Sequence, residues 1–137
     1  MRMMTGLVIC AALASPDAAS ACRRSPDPGT LMSREYTTVA VVRIEDVIPT
    51  SPSNPEDEWR AMATRVSVVE GAEPALNLLL GHAEIPNCRE RRPAPRAGEY
   101  WVAYMDGVGG PDSVVYNAWP LDFARSLDPR FSGAPAR

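Results

Sequence analysis

The 137-residue chain contains no lysine and only one histidine, and it has neither a G-x-S-x-G sequence nor a glycine-rich phosphate loop. His82 stands in no recognisable triad motif. Adjacent carboxylates such as Glu45 and Asp46 face opposite sides of a strand, which is unsuitable for joint acid–base catalysis. Zinc usually takes four protein ligands, and the sequence offers no such set. We therefore expect no enzyme, no bound metal and no cofactor.

Long apolar segments are also missing, since the longest run covers only residues 6–14. A helix needs about 20 apolar residues to span a bilayer, so no transmembrane span is expected. Arg2 precedes the run, and the small-residue stretch Ala19-Ser20-Ala21 follows it, which is the order of a secretory signal peptide. Residues 1–21 are predicted to be cleaved near Ala21, giving a periplasmic or secreted protein. The alternatives are an earlier cut after Ala14 and a buried N-terminal helix.

Cysteine is scarce, and after cleavage only Cys22 and Cys88 remain. An even number of cysteines in an exported chain favours a disulfide bond. The loop it would close spans 66 residue steps, which in the chain-entropy model contributes roughly 4 kcal/mol. Two alternatives stay open. The cysteines are separate thiols, or Cys22 carries a lipid that anchors the protein to an envelope membrane.

Five segments rich in β-branched and aromatic residues end at proline or glycine and are predicted to be strands. A helix is predicted at residues 121–127, because Pro120 suits a first turn. Residues 23–35 are predicted to be a loop. The pattern indicates an all-β domain over residues 22–127, a small antiparallel barrel or sandwich with a short C-terminal helix, followed by a flexible tail at 128–137. The predicted strands are residues 36–48, 59–70, 75–85, 99–106 and 113–119.

Strand alternation predicts which side chains share a face. In the first strand one set is Ala40, Val42, Ile44 and Ile48. In the second, one face carries Met62, Thr64, Val66 and Val68. In the fourth strand, if the Trp101 side chain points inward, the Tyr100 side chain must point outward. The aromatic residues are expected either in the core or along a binding groove.

Four arginines cluster after Cys88 in a loop with two prolines. They predict an anion-binding loop for an acidic surface or polysaccharide, and the alternative is an ordinary solvated loop. A nucleic-acid partner is not expected, because the chain is exported and its net charge is −3. The four residues are Arg89, Arg91, Arg92 and Arg96.

Three segments together resemble the netrin-module and tissue-inhibitor-of-metalloproteinases group. They are VAVVRIEDV at 39–47, VVEG at 68–71, and Cys88 ahead of GEYWV at 98–102. The resemblance implies a five-stranded OB-type barrel with Cys22 paired to Cys88.

In the inhibitors of that group, the amino-terminal cysteine chelates a protease's zinc through its α-amino nitrogen and carbonyl oxygen. The resemblance implies this role for Cys22, with Arg23 in the specificity pocket. The chain departs from the pattern at Arg24, where the inhibitors carry another cysteine.

We therefore expect an exported, disulfide-stabilised binding or interaction domain of unknown ligand, whose partner is another envelope or extracellular protein. Two alternatives are a metalloprotease inhibitor acting through Cys22 and a lipid-anchored envelope protein.

The protein recovered from an exporting cell is expected to begin at Cys22 and to lack the two thiol protons of a reduced chain. Intact-mass spectrometry before and after reduction checks both points. A diacylglycerol mass on Cys22 would instead establish the lipid anchor. A chain beginning at Ser15 would contradict cleavage at Ala21.

Overall fold

The computed structural model describes residues 27–50, 58–82, 92–107 and 113–131. The predicted signal peptide, Cys22, Arg23, Cys88, Arg89 and Arg91 lie outside the described residues, and so do residues 132–137. The elements in chain order are α1 (Pro28–Met32), β1 (Thr38–Pro49), β2 (Trp59–Gly71), β3 (Asn77–His82), β4 (Tyr100–Met105), β5 (Val114–Val115), β6 (Ala118–Pro120), α2 (Leu121–Leu127) and a 3-10 turn (Pro129–Phe131).

The strands form one curled, open sheet in the order β5-β3-β2-β1-β4-β6. All neighbours are antiparallel except β3 and β5, which run parallel. The edge strands β5 and β6 are joined by only Tyr116 and Asn117, and the Tyr104 N–H donates to the Asn117 carbonyl at 2.9 Å. The predicted β class is confirmed. Within the described residues the predicted fifth strand is divided at Tyr116 into β5 and β6, and the curled six-stranded sheet is roughly consistent with the predicted five-stranded barrel, except that it is open.

The element boundaries follow the sequence pattern closely. The first, second and fourth predicted strands are confirmed to within two residues at each end, and the helix Leu121–Leu127 is confirmed. The third strand begins two residues later than predicted, at Asn77. The periodic apolar residues and the prolines at strand ends therefore determine most of the local structure.

Two segments predicted to be irregular are ordered. Residues 23–35 were expected to be a loop, yet α1 forms there because Pro28 occupies its first turn and Asp27 caps it, accepting from the Thr30 N–H at 3.4 Å. The tail was expected to be flexible from Asp128 on, yet Asp128 is buried and a 3-10 turn follows it. No helix among the described residues is long and apolar enough to cross a membrane.

The inner face of the curled sheet holds the main core. Ala40, Val42 and Ile44 of β1 are buried there, as the alternation predicts. Trp59 and Trp101 meet edge to face, with ring centroids 5.5 Å apart. Such aromatic pairs add to the free energy already gained by burying their area.

Two parts of the face prediction are wrong. Glu45 is an extra residue in β1, since Ile44 pairs with Ala63 and Asp46 pairs with Met62. An extra residue reverses the alternation, so Val47 packs against the core and Ile48 is 44% exposed. In β2 the buried residues are Trp59, Ala61 and Ala63, whereas Met62, Val66 and Val68 are exposed.

A second apolar cluster lies on the outer face of β1, β4 and β6, where α1 and α2 cover the sheet. Because β4 has a core on both sides, residues 101–105 are all buried. A continuous apolar strand of this kind is typical of a sheet covered on both faces. The cluster consists of Met32, Tyr36, Val39, Val102, Tyr104, Trp119 and Ala124.

Gly71 ends β2 at a point where no larger residue fits. Its φ is +83°, and a Cβ atom there would lie 1.8 Å from the carbonyl oxygen of Thr37. That carbonyl also accepts the Ala72 N–H at 3.1 Å. The backbone cannot move away without breaking this turn, so both the conformation and the contact require glycine.

Gly71→Ala is expected to lower the free energy of unfolding by roughly 3 kcal/mol or more, because the new methyl group overlaps the backbone. Gly98→Ala is the matched control, since Gly98 has a φ of +88° and open space around it. It should cost only about 1–2 kcal/mol of left-handed strain. Urea unfolding measures both variants, and equal losses would contradict this account.

Candidate functional site

The outer surface of β2 is shaped by two extra residues. Val39 pairs with Glu70 and Ala40 with Val68, so Val69 has no partner on β1. In the same way, the pairs Val41–Ser67 and Val42–Arg65 leave Val66 without one. Bulges bend a strand and redirect its side chains, often beside functional sites. Here Val66 and Val69 line the same surface as Ser67.

These two valines border a groove of about 990 Å³. The outer faces of β1, β2 and β4 form one side of the groove. The segment before β4, helix α2 and the 3-10 turn border it. It begins where the helices stop covering the sheet. A volume of this size is at the upper limit of what small-ligand pockets usually have.

The groove has an apolar floor with an aromatic side chain on its rim. Val41, Val69, Leu121 and Phe131 are partly buried and line it. Tyr100 is 48% exposed on the rim while Trp101 is buried, so the alternation predicted for these two residues is confirmed. The floor therefore offers apolar surface that a ligand could cover.

Two arginines stand at this groove with little intramolecular pairing. Arg125 meets Asp122 at 3.4 Å, but the Asp122 side chain is 96% exposed, and pairs in such positions contribute little. Arg96 is exposed, and its backbone N–H donates to Glu99 Oε2 at 3.0 Å. Glu99 Oε2 also accepts the Trp101 Nε1–H at 3.2 Å, so this oxygen has two donors within the protein.

Arg130 holds the wall of the groove in place. Its guanidinium donates to the carbonyl oxygens of Met32 and Arg34, at 2.7 Å each, and forms ion pairs with Glu70 and Asp128. The hydrogen bond with Glu70, more than any other interaction, raises the pKa of Arg130. This one side chain therefore joins the end of α1, strand β2 and the 3-10 turn.

Asp128 is buried beside Arg130 and accepts a hydrogen bond from the Tyr104 hydroxyl at 2.7 Å. Burial, together with that bond to a carboxylate, raises the pKa of Tyr104 well above its usual value. Burial also raises the pKa of Tyr36, whose hydroxyl accepts a hydrogen bond from Asn117 at 2.9 Å. Both phenols are thus held in their neutral form beneath the helices.

The structure describes two arginines of the predicted anion-binding loop, Arg92 and Arg96, and they lie in different surroundings. Arg92 is buried, with its guanidinium 4.0 Å from the Trp119 ring and Nη1 donating to the Tyr116 carbonyl at 2.9 Å. Arg92 therefore contributes to packing. Of these two described arginines, Arg96 lines the groove.

Several other residues considered from the sequence are buried in the fold. Trp59, Trp101, Tyr104 and Trp119 are buried, and His82 is buried beside the Trp59 ring. Within the ranges that the structure describes, no group of three or more potential ligands could hold a metal ion. Sequence reasoning missed Val66, Val69 and Arg125 as groove residues, because the bulges and the place where α2 docks leave no signal in the local pattern.

Scans against protein-family models, curated proteins and solved structures found no match. The function of this chain is therefore inferred from the groove and its chemistry.

The stability of the fold is expected to fall as the pH rises above about 10. The unfolded chain then releases the phenolic protons of Tyr36 and Tyr104, whereas the folded chain retains them because their pKa values are raised. Each such tyrosine contributes a slope that approaches about 1.4 kcal/mol per pH unit.

Tyr104→Phe should remove part of that slope, and it should cost about 1–3 kcal/mol at neutral pH because Asp128 loses a partner. Urea unfolding on both sides of pH 10 measures both effects. Tyr100→Phe, which removes a hydroxyl from an exposed ring, is the control. An unchanged slope in Tyr104→Phe would show that the buried phenol does not govern the alkaline loss.

Proposed function

We propose that the protein is an exported binding module that holds an apolar part of its ligand in the groove between β2 and α2. The observation that carries this proposal is a groove of about 990 Å³ whose floor is apolar and open to solvent. Val66 is 54% exposed and Tyr100 is 48% exposed, both at this groove. Exposed apolar surface that is concave and framed by polar groups is typical of a binding site.

The rigidity of the groove supports the same proposal. Its floor is a sheet, and Arg130 fastens its wall to α1 and β2. A site that is already formed loses little conformational entropy when a ligand binds. Each valine-sized side chain that a ligand fully buried would contribute roughly 1.5–3 kcal/mol.

The frame is proposed to be an OB-type barrel. If β5 and β6 are counted as one strand bent at Tyr116, the order becomes 1-2-3-5-4, with the fourth strand also beside the first. OB barrels have five strands and are partly open. The parallel pairing of β3 with β5 and the short Tyr116–Asn117 connection support this interpretation.

Export and the Cys22–Cys88 disulfide are parts of the proposal that rest on the sequence. The proposed partner is an envelope or extracellular protein. A lipid anchor at Cys22 is the alternative to the disulfide, and intact mass distinguishes them.

Zinc-protease inhibition through Cys22 is the second candidate, favoured by the OB-like strand order. It requires a free α-amino group on Cys22, because that nitrogen would be a zinc ligand. Mature protein that begins at Cys22 should then inhibit a zinc endoprotease, and the same chain with one added amino-terminal residue should not. Equal activity of both forms, or none, would remove this candidate.

Binding of Nile red, an uncharged dye that fluoresces in apolar surroundings, tests the groove. Wild-type protein is expected to bind it saturably. Val66→Asp should weaken binding roughly tenfold, because it removes apolar contact and places a charge at the floor.

Val68→Asp is the matched control. Val68 is also an exposed valine of β2, but it does not line the groove. Its variant should bind the dye as the wild type does. Equal weakening in both variants, or in neither, would refute the groove as the binding site.

A further inference from the structure

The groove combines an apolar floor with Arg96 and Arg125 on separate elements of the fold. We propose that its ligand is an acidic peptide segment whose carboxylate pairs with these two arginines while neighbouring apolar side chains lie on Val66 and Tyr100. The inference rests on the proposed function, since it names the ligand class of the same groove.

The pairing state of the arginines is the first support. In the described ranges, every arginine other than Arg96 has an ion pair or an aromatic ring as a partner for its guanidinium. Arg96 makes no such contact with its side chain there. Its planar guanidinium therefore keeps all its donors for a carboxylate, which it can bind with two parallel hydrogen bonds.

The second support is the way in which Arg96 is held. Its carbonyl accepts the Glu99 N–H at 3.1 Å, and its own N–H donates to Glu99 Oε2 at 3.0 Å. The Trp101 Nε1–H donates to the same oxygen, so Glu99 fixes the turn that carries Arg96. The backbone from which the Arg96 side chain extends is thus fixed before the ligand arrives.

The open shape of the groove favours a peptide over a compact small molecule. Pockets for small ligands usually enclose most of the ligand's surface, whereas this groove is open along one side. An extended chain can pass through such a groove and remain partly exposed. Tyr100 and Pro93 on its border give apolar contact at little cost in side-chain entropy.

A display library of short random peptides tests the proposal on the mature protein. Wild-type protein should select sequences in which aspartate or glutamate stands beside apolar residues. A synthetic selected peptide should bind Arg96→Gln and Arg125→Gln roughly tenfold more weakly, since each variant loses a charge-assisted hydrogen bond. Its affinity for the wild type should also fall as salt is added.

Arg43→Gln is the control, because it removes the same charge at a position outside the groove. Arg43 is exposed, pairs with Glu45 at 2.9 Å and does not line the groove, so its variant should bind the peptide as the wild type does. Selection without acidic residues, no selection at all, or equal weakening by Arg43→Gln would overturn the proposal. If Nile red still distinguished Val66→Asp from Val68→Asp, the groove function would stand and only the ligand class would fall.

Discussion

One guanidinium fastens the end of α1 and the 3-10 turn to the sheet. Arg130 contacts the carbonyl oxygens at the end of α1, the carboxylate of Glu70 on β2 and the buried Asp128. Removing one partner of a buried ion pair typically costs about 3–5 kcal/mol, because the other charge is left without compensation. Asp128, with no exposed side-chain surface, would be in that state. The outer cluster and the wall of the groove therefore share one electrostatic anchor.

The sheet has to bury apolar side chains on both faces, and the two faces do so differently. The inner face curls around Trp59 and Trp101, and side chains of the sheet itself fill the core. The outer face of β4 carries Val102 and Tyr104, which pack in one cluster with Met32 of α1 and Ala124 of α2. These helices are short, so their cover ends before Val41 and Val66. The groove is the part of the outer face that this arrangement leaves open.

The chemistry of that open surface depends on which of the surrounding charged side chains already have partners within the protein. Glu99 and Glu70 are engaged within the protein, by the 96–99 turn and by Arg130. Arg96 and Arg125 keep most of their hydrogen-bonding capacity. Among the described residues that line the groove, three arginines (Arg96, Arg125 and Arg130) stand with two carboxylates (Glu99 and Asp122) around an apolar floor, so basic side chains outnumber acidic ones. This asymmetry is the physical basis of the proposed preference for an acidic ligand.

The sequence by itself determined the local structure. Runs of β-branched residues, bounding prolines and strict alternation located the main strands, the helix after Pro120 and the outward direction of Tyr100. These features depend on neighbours within a few residues. Only the tertiary structure decided the bulges at Glu45, Val66 and Val69, because register is a property of two strands together.

The local sequence pattern also does not distinguish Arg92, Arg96 and Arg130, although the structure gives them different roles. Arg92 is buried against Trp119, Arg96 is left at the groove, and Arg130 bonds a carbonyl 98 residues away. Groups that are distant along the chain hold Arg92 and Arg130, and the groove beside Arg96 forms only when the strands and α2 come together. Local pattern carries no information about such contacts, so it could locate the strands but not the site.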